Sequence, residues 1–191
     1  RKESSAASDV YKRQGWGCQL ANANLFRAFE MEKKGWVLID PGSAAGLDGT
    51  ISKAADSGNP WFGYYWNPTS MVGKYGLIPV DFGVKFAGRD NWDNCITLAE
   101  QDCADPQPTA WTKSEVNSIV TAKFAETGGK DALKYVKKRT YPGEVMNGML
   151  VYMADNQAKG SDAAIEFLKK HEDVWSKWVS GGAKKKIKAG L

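Results

Sequence analysis

Residues 15–18 read Gly-Trp-Gly-Cys and residues 62–68 read Phe-Gly-Tyr-Tyr-Trp-Asn-Pro, and each stretch has the character of a loop where an apolar strand ends. In the first stretch, glycines flank a tryptophan and leave the backbone N–H groups of Gly17 and Cys18 uncovered, ahead of a helix-compatible run. Exposed N–H groups at a helix N-terminus bind anions. The second stretch ends its aromatic run at Trp66, and tryptophan faces attract cations. Together the two stretches predict a site for a ligand that carries a carboxylate and a quaternary ammonium.

The elements around these two stretches follow a strand, helix, strand order. Residues 36–40 are a short apolar run typical of a buried parallel strand, and residues 61–66 predict another strand. Residues 19–33 and 43–57 have the apolar periodicity of helices. This alternation predicts the α/β fold class, with a parallel sheet and right-handed crossovers. In such sheets ligands bind at the carboxyl ends of strands, which is where both stretches fall.

The patterns further along the chain are less regular. They predict helical turns at 68–75, an edge strand at 77–82, an irregular excursion at 87–108, a strand at 117–122, and helices at 131–139 and 143–157. The last helix is expected to begin with Ser161 and Asp162 as its cap. Its buried face is predicted from side chains that recur at spacings of four and three, namely Ala164, Leu168, His171, Trp175 and Trp178. On that stripe His171 is interpreted as a packed histidine rather than a catalytic base.

Composition sets the broad class of the protein. With 42% hydrophobic and 25% charged residues the chain is an ordinary globular sequence, but eight tryptophans among 191 residues exceed the usual share. The net charge of +4 owes much to the lysine-rich run at 184–188, which is interpreted as a solvated helix end rather than a nucleic-acid patch. Because no apolar run reaches eighteen residues, no direct membrane span is predicted.

Three cysteines and one histidine limit the candidate chemistry. Cys95 and Cys103 enclose a short polar loop and can bridge in an oxidising compartment, which leaves Cys18 without a predicted partner. A single histidine argues against a zinc site, and no cofactor or metal is predicted. A thiol at a helix start has a lowered pKa, so a hydrolase or transferase using Cys18 is the alternative. A third possibility is an aromatic-rich interaction module with no small ligand.

The Gly-Trp-Gly-Cys stretch, the Tyr-Trp-x-Pro motif at 65–68 and the closing region 148–179 resemble, in that order, the substrate-binding proteins of glycine betaine/proline ABC transporters. The resemblance implies a type II periplasmic-binding-protein fold whose two lobes close on a compatible solute. It also implies an exported, periplasmic protein that serves osmoprotection and is not an enzyme. Its partners would be the ABC transporter permease subunits.

The resemblance also implies roles for particular residues. Trp16 and Trp66 would be two walls of an aromatic cage around the trimethylammonium group, and Tyr65 belongs to the same ligand-binding set. The backbone N–H groups of Gly17 and Cys18 would hold the carboxylate. Glycine betaine, proline betaine, choline, carnitine and a sulfonium analogue present similar cations, so the sequence does not choose among them.

The resemblance divides the chain into a disordered or foreign leader at 1–14, ligand-binding lobe two at 15–112 and a part that returns to lobe one at 113–191. In related proteins a cysteine six residues earlier pairs with Cys18, whereas this chain has Lys12 there. A third aromatic wall of the cage comes from a lobe that precedes residue 15 in the family, and Ser70 stands where some relatives repeat a tryptophan. These departures predict a C-terminal fragment in which one lobe is nearly complete and the other is truncated at its N-terminal side.

Overall fold

A computed structural model describes residues 9–11, 17–112 and 114–191, which divide into two compact units. The first unit contains the described residues up to Trp66 together with 75–112, and the second contains Asn67–Lys74 and Ser114–Leu191. Each unit has its own hydrophobic core. None of the helices in these described parts is both long and apolar enough to cross a membrane.

Helices form most of the regular structure in the described residues. The strands are β1 (Asp9–Tyr11) and β2 (Val37–Ile39). The helices are α1 (Gly17–Ala28), α2 (Ala44–Asp56), α3 (Ser70–Tyr75), α4 (Arg89–Asn91), α5 (Ala122–Thr127), α6 (Lys130–Lys138), α7 (Gly143–Asn156), α8 (Gly160–Lys170), α9 (Glu172–Trp175) and α10 (Gly181–Ala189). Short 3-10 turns lie at Glu32–Lys34 and Glu100–Asp102, and a π-helical turn lies at Trp92–Ile96.

The two strands pair in parallel, with Asp9 opposite Val37 and Tyr11 opposite Ile39. The strand predicted at 36–40 is therefore confirmed, in shorter form. The strand at 9–11 differs from the prediction, which placed no regular element in 1–14. A parallel ladder joins backbone N–H and C=O groups, so a polar segment without alternation can form one when a partner strand is near. The rest of the predicted leader lies outside the described residues.

Three other predicted strands are wrong. Residues 61–66, 77–82 and 117–122 all lie in described parts of the chain, and none of them forms a ladder strand, since Gly63 makes only a single β-bridge and Ala122 begins α5. Their β-branched and aromatic residues favour extended backbone, but a strand also needs a neighbouring strand to bond with. Ile119, for instance, is 92% exposed.

The helix predictions are more accurate than the strand predictions, because a helix is formed by residues that are close in sequence. Helices α2, α3, α6 and α7 lie within two residues of their predicted bounds. The start of α2 shows why: the Ser43 Oγ accepts a hydrogen bond from the Gly46 N–H at 3.0 Å, which is an ordinary N-cap. The helix predicted at 19–33 ends earlier, because α1 stops at Ala28 and a 3-10 turn follows.

In the second unit the core joins α7, α8, α9 and the turn after α9. The buried side chains are Met149, Ala163, Phe167, Val174, Trp175 and Trp178. The predicted last helix is interrupted at His171 and begins at Gly160, with Asp162 accepting a hydrogen bond from the Lys159 N–H. Of its predicted stripe, Trp175 and Trp178 are buried and Leu168 and His171 are partly buried, whereas Ala164 is exposed. In α8 the buried side chains are instead Ala163 and Phe167.

Candidate functional site

The first candidate group lies at the start of α1. Gly17 and Cys18 are the first two residues of this twelve-residue helix, whose early N–H groups have no acceptor within the helix. Gly17 is exposed and has open space around it, and Cys18 is half-buried. Trp16, the predicted cage wall, lies outside the described residues. The arrangement fits recognition of an anion by backbone donors.

Helix α1 is held in place by Asn24, which is only 1% exposed. Its side-chain amide donates to the carbonyl oxygens of Cys95, Ile96 and Leu98 at 3.1, 3.1 and 2.9 Å. The Cys95 carbonyl also accepts from the Leu98 backbone N–H at 2.9 Å, so the Asn24 amide matters most for the Ile96 and Leu98 carbonyl groups, which it allows to pack on α1. Sequence reasoning missed Asn24; the available signal was a polar residue beside the apolar Leu25 of α1.

Arg27 also attaches α1 to the loop at 95–104. Its guanidinium donates to the Asn24 Oδ1 at 2.9 Å and to the Cys103 carbonyl oxygen at 2.9 Å. Cys95 and Cys103 form a disulfide, so the loop between them is closed covalently as well. Apolar packing of Ala21 and Leu25 against Trp92 and Ile96 completes the contact. The helix that carries the candidate anion site is thereby fixed to the disulfide-closed loop.

The second candidate group lies at the end of the aromatic segment 61–66. Although this segment forms no strand, side-chain hydrogen bonds attach it to α2. The Trp61 Nε1–H donates to the Thr50 Oγ1 at 3.0 Å, and the Tyr65 hydroxyl donates to the Asp48 Oδ1 at 2.6 Å. Helix α2 therefore positions this segment through side-chain hydrogen bonds, in addition to the single β-bridge at Gly63.

The aromatic residues of this segment have different surroundings. Phe62 packs edge-on against Trp36 with ring centroids 5.6 Å apart, and Tyr64 packs against Trp111 at 5.1 Å. Trp66, by contrast, remains 36% exposed and lies beside Tyr65, with ring centroids 5.6 Å apart and planes 31° from parallel. The first two rings therefore serve packing, and the Tyr65–Trp66 pair presents aromatic surface to solvent.

The second unit contains an apolar cavity of about 410 Å³. Its walls include Met149, Phe167, Trp175 and Trp178, which are the core side chains of that unit. His171 packs on the same cluster, with its ring stacked on Phe167 at a centroid distance of 5.5 Å. Because these walls are mainly apolar, the cavity lacks the ionic complementarity that a zwitterion needs, and it is not assigned to the ligand.

Gly17 and Cys18 thus lie at the start of α1, and Tyr65 and Trp66 lie side by side at the end of segment 61–66.

A comparison with known families gives a match to the family described as the substrate binding domain of ABC-type glycine betaine transport system, over residues 2–170. No curated protein matches the chain. Proteins of this family have a type II periplasmic-binding fold, are extracytoplasmic, and work with a small-molecule ligand and ABC permease partners. Since the match spans far more than half of the sequence, the chain belongs to the family of substrate-binding domains of ABC-type glycine betaine transport systems.

Proposed function

We propose that this protein binds glycine betaine, or a related quaternary ammonium solute such as proline betaine or choline, for uptake by an ABC importer. The observation that carries the proposal is the Tyr65–Trp66 ring pair, because the two rings lie side by side and 36% of Trp66 is exposed. Residues 15–112 would supply ligand-binding lobe two, and residues 113–191 would return to lobe one. The site of action would be the periplasm.

The cation half of the ligand would bind to ring faces. A trimethylammonium group has no N–H to donate, so hydroxyls and carbonyls serve it poorly, whereas the negative face of an indole attracts it. Each such contact contributes about 0.5 to 2 kcal/mol, with the upper end reached when water is excluded. Trp66 would be one wall of the cage, Tyr65 would support it, and Trp16 would be a further wall.

The anion half would bind at the start of α1. The carboxylate of a betaine would accept hydrogen bonds from the N–H groups of Gly17 and Cys18, and the positive end of the helix dipole would add to the attraction. Backbone donors suit this role because they are held by the helix and keep their charge distribution at any pH. The thiol of Cys18 has no part in this mechanism.

Replacement of Trp66 tests the proposal. We expect Trp66→Ala to weaken glycine betaine binding about tenfold or more, and Trp66→Phe to weaken it less, because Phe keeps a smaller π face. Titration calorimetry with glycine betaine would give the dissociation constants. Trp36→Phe is the matched control, since Trp36 lies in the same unit but packs against Phe62. Equal affinities of Trp66→Ala and the unsubstituted protein would contradict the proposed site.

A further inference from the structure

We propose that Asp48 is a positioning residue for the cation-binding rings: its carboxylate holds the Tyr65 ring beside Trp66. The inference deepens the proposed function and rests on it, since it concerns the same aromatic pair. Asp48 itself would not touch the ligand. It would act through Tyr65, whose hydroxyl lies 2.6 Å from the Asp48 Oδ1.

Asp48 is well placed to position a neighbour, because the helix that carries it is anchored. Leu47 and Ile51, on either side of Asp48 in α2, are each 1% exposed. A helix fixed by two buried side chains offers its half-buried polar groups at defined positions. Thr50 and Ser52 of the same helix also bond aromatic side chains, at 3.0 Å to the Trp61 Nε1 and 2.9 Å to the Tyr75 hydroxyl. Three polar side chains of α2 therefore each bond an aromatic side chain.

The hydrogen bond defines the direction of the long axis of the Tyr65 ring. An ionised carboxylate only accepts hydrogen bonds, so the tyrosine must direct its O–H towards α2. A hydrogen bond to a charged acceptor is roughly twice as strong as one between neutral groups. With its backbone end fixed in the chain and its hydroxyl fixed on Asp48, the long axis and the centre of the ring are held in place. Its centroid then stays 5.6 Å from that of Trp66.

The consequence for binding is specific to the charge of the ligand. A cation gains from rings that are held in one position, because the attraction depends on the position of the charge over the ring. A tert-butyl group of the same shape, which carries no charge, gains only from apolar contact with the rings, and this depends much less on their position. Loss of the Asp48 contact should therefore reduce discrimination between the two, whereas a general loss of stability would weaken both equally.

The experiment compares Asp48→Ala, Asp48→Asn and Tyr65→Phe. Each variant is titrated with glycine betaine and with 3,3-dimethylbutanoate, which replaces the ammonium nitrogen by carbon. We expect Asp48→Ala and Tyr65→Phe to weaken glycine betaine binding about five- to tenfold while changing the affinity for the analogue without a cation about twofold or less. Asp48→Asn keeps an acceptor for the Tyr65 hydroxyl and should recover most of the loss. The double variant Asp48→Ala with Tyr65→Phe should be no weaker than either single variant.

A second measurement needs no ligand. The indole N–H resonance of Trp66, assigned with Trp66→Phe, reports the ring current of Tyr65. We expect it to shift in Asp48→Ala and in Tyr65→Phe but to stay near its original position in Asp48→Asn. An unchanged resonance in Asp48→Ala would overturn the inference, and so would an Asp48→Asn variant that binds as weakly as Asp48→Ala. If the unsubstituted protein fails to bind glycine betaine, the proposed function fails, and the positioning role is judged by the resonance alone.

Discussion

Asn24 shows how one residue determines the geometry of the first unit. A helix and a loop can pack closely only if the loop carbonyl groups find donors, and this amide serves three of them while its own oxygen accepts from Arg27. An isolated buried asparagine would be unfavourable. Here both of its polar atoms are used, so the residue stabilises a tertiary contact that apolar side chains alone would leave incomplete.

We expect Asn24→Ala to destabilise the protein by about 2 to 3 kcal/mol, because it removes the donor to the Ile96 and Leu98 carbonyl groups and opens a small cavity. Chemical denaturation followed by tryptophan fluorescence would measure the change. Asn94→Ala is the matched control, since Asn94 is exposed and bonds only the Asp90 side chain within the described structure. A destabilisation no larger than that of the control would show that the three contacts are not important for stability.

At the scale of elements, α9 and α10 are joined by charge. Lys184 and Lys188 of α10 each lie 2.8 Å from a carboxylate oxygen of Glu172, at the start of α9. Hydrogen bonds from these two lysines lower the pKa of Glu172 below its ordinary value of 4.5. The lysine-rich end of the chain, interpreted from sequence as a solvated helix end, therefore contributes two of its charges to an intramolecular contact.

A pH dependence follows from the direction of this shift. A carboxyl whose pKa is lower in the folded state stabilises the fold above the unfolded value, and that contribution is lost as the pH falls through the lowered pKa. We expect Glu172→Gln to lower the thermal midpoint slightly at neutral pH and not at all once the pH lies well below 4.5. Melting curves of both proteins across this range provide the measurement. Glu126→Gln in α5 is the exposed control, and a difference that persists at low pH would contradict the assignment.

At the scale of the whole molecule, two hydrophobic cores stabilise two units. The core of the first unit is built on Leu25, Trp92 and Ile96, and that of the second on Phe167, Trp175 and Trp178. Phe167 and Trp178 stack with ring centroids 5.6 Å apart. Packing in the two cores thus explains much of the excess of tryptophan in the sequence. Trp66 differs from the core tryptophans because 36% of its surface is exposed.

Because each unit has its own core, shortening a side chain in one core should destabilise mainly the unit that contains it. We expect Trp178→Ala to cost about 3 to 5 kcal/mol in the second unit, because a large buried side chain is lost and the space is only partly refilled. Hydrogen exchange resolved by peptide should show lost protection in α7 and α8. Trp92→Ala is the counterpart for the first unit, with its losses in α1. Equal loss of protection in α1 for both variants would contradict the division into two cores.

The sequence alone was sufficient for features that depend on neighbours along the chain. The helices predicted at 43–57, 131–139 and 143–157 and the motifs at 15–18 and 65–68 all depend on residues that are close in sequence, so they could be interpreted without a structure. The resemblance that these motifs carry led to a family that the comparison shows. A helix satisfies its backbone groups internally, which is why its prediction needs little more than its own residues.

Only the tertiary structure decided which extended segments pair and which side chains position the candidate site. Residues 61–66 and 117–121 have strand-like composition, but the partner that would complete a ladder is a property of distant residues. The hydrogen bonds of Asn24 also depend on distant residues, because the carbonyl groups that accept them lie more than seventy positions away in sequence. The hydrogen bond between Asp48 and Tyr65 likewise joins two different elements. The sequence determined which side chains and backbone groups are available to bind the proposed ligand. The fold decided which residues surround each of those groups, because long-range contacts leave no local pattern in the sequence.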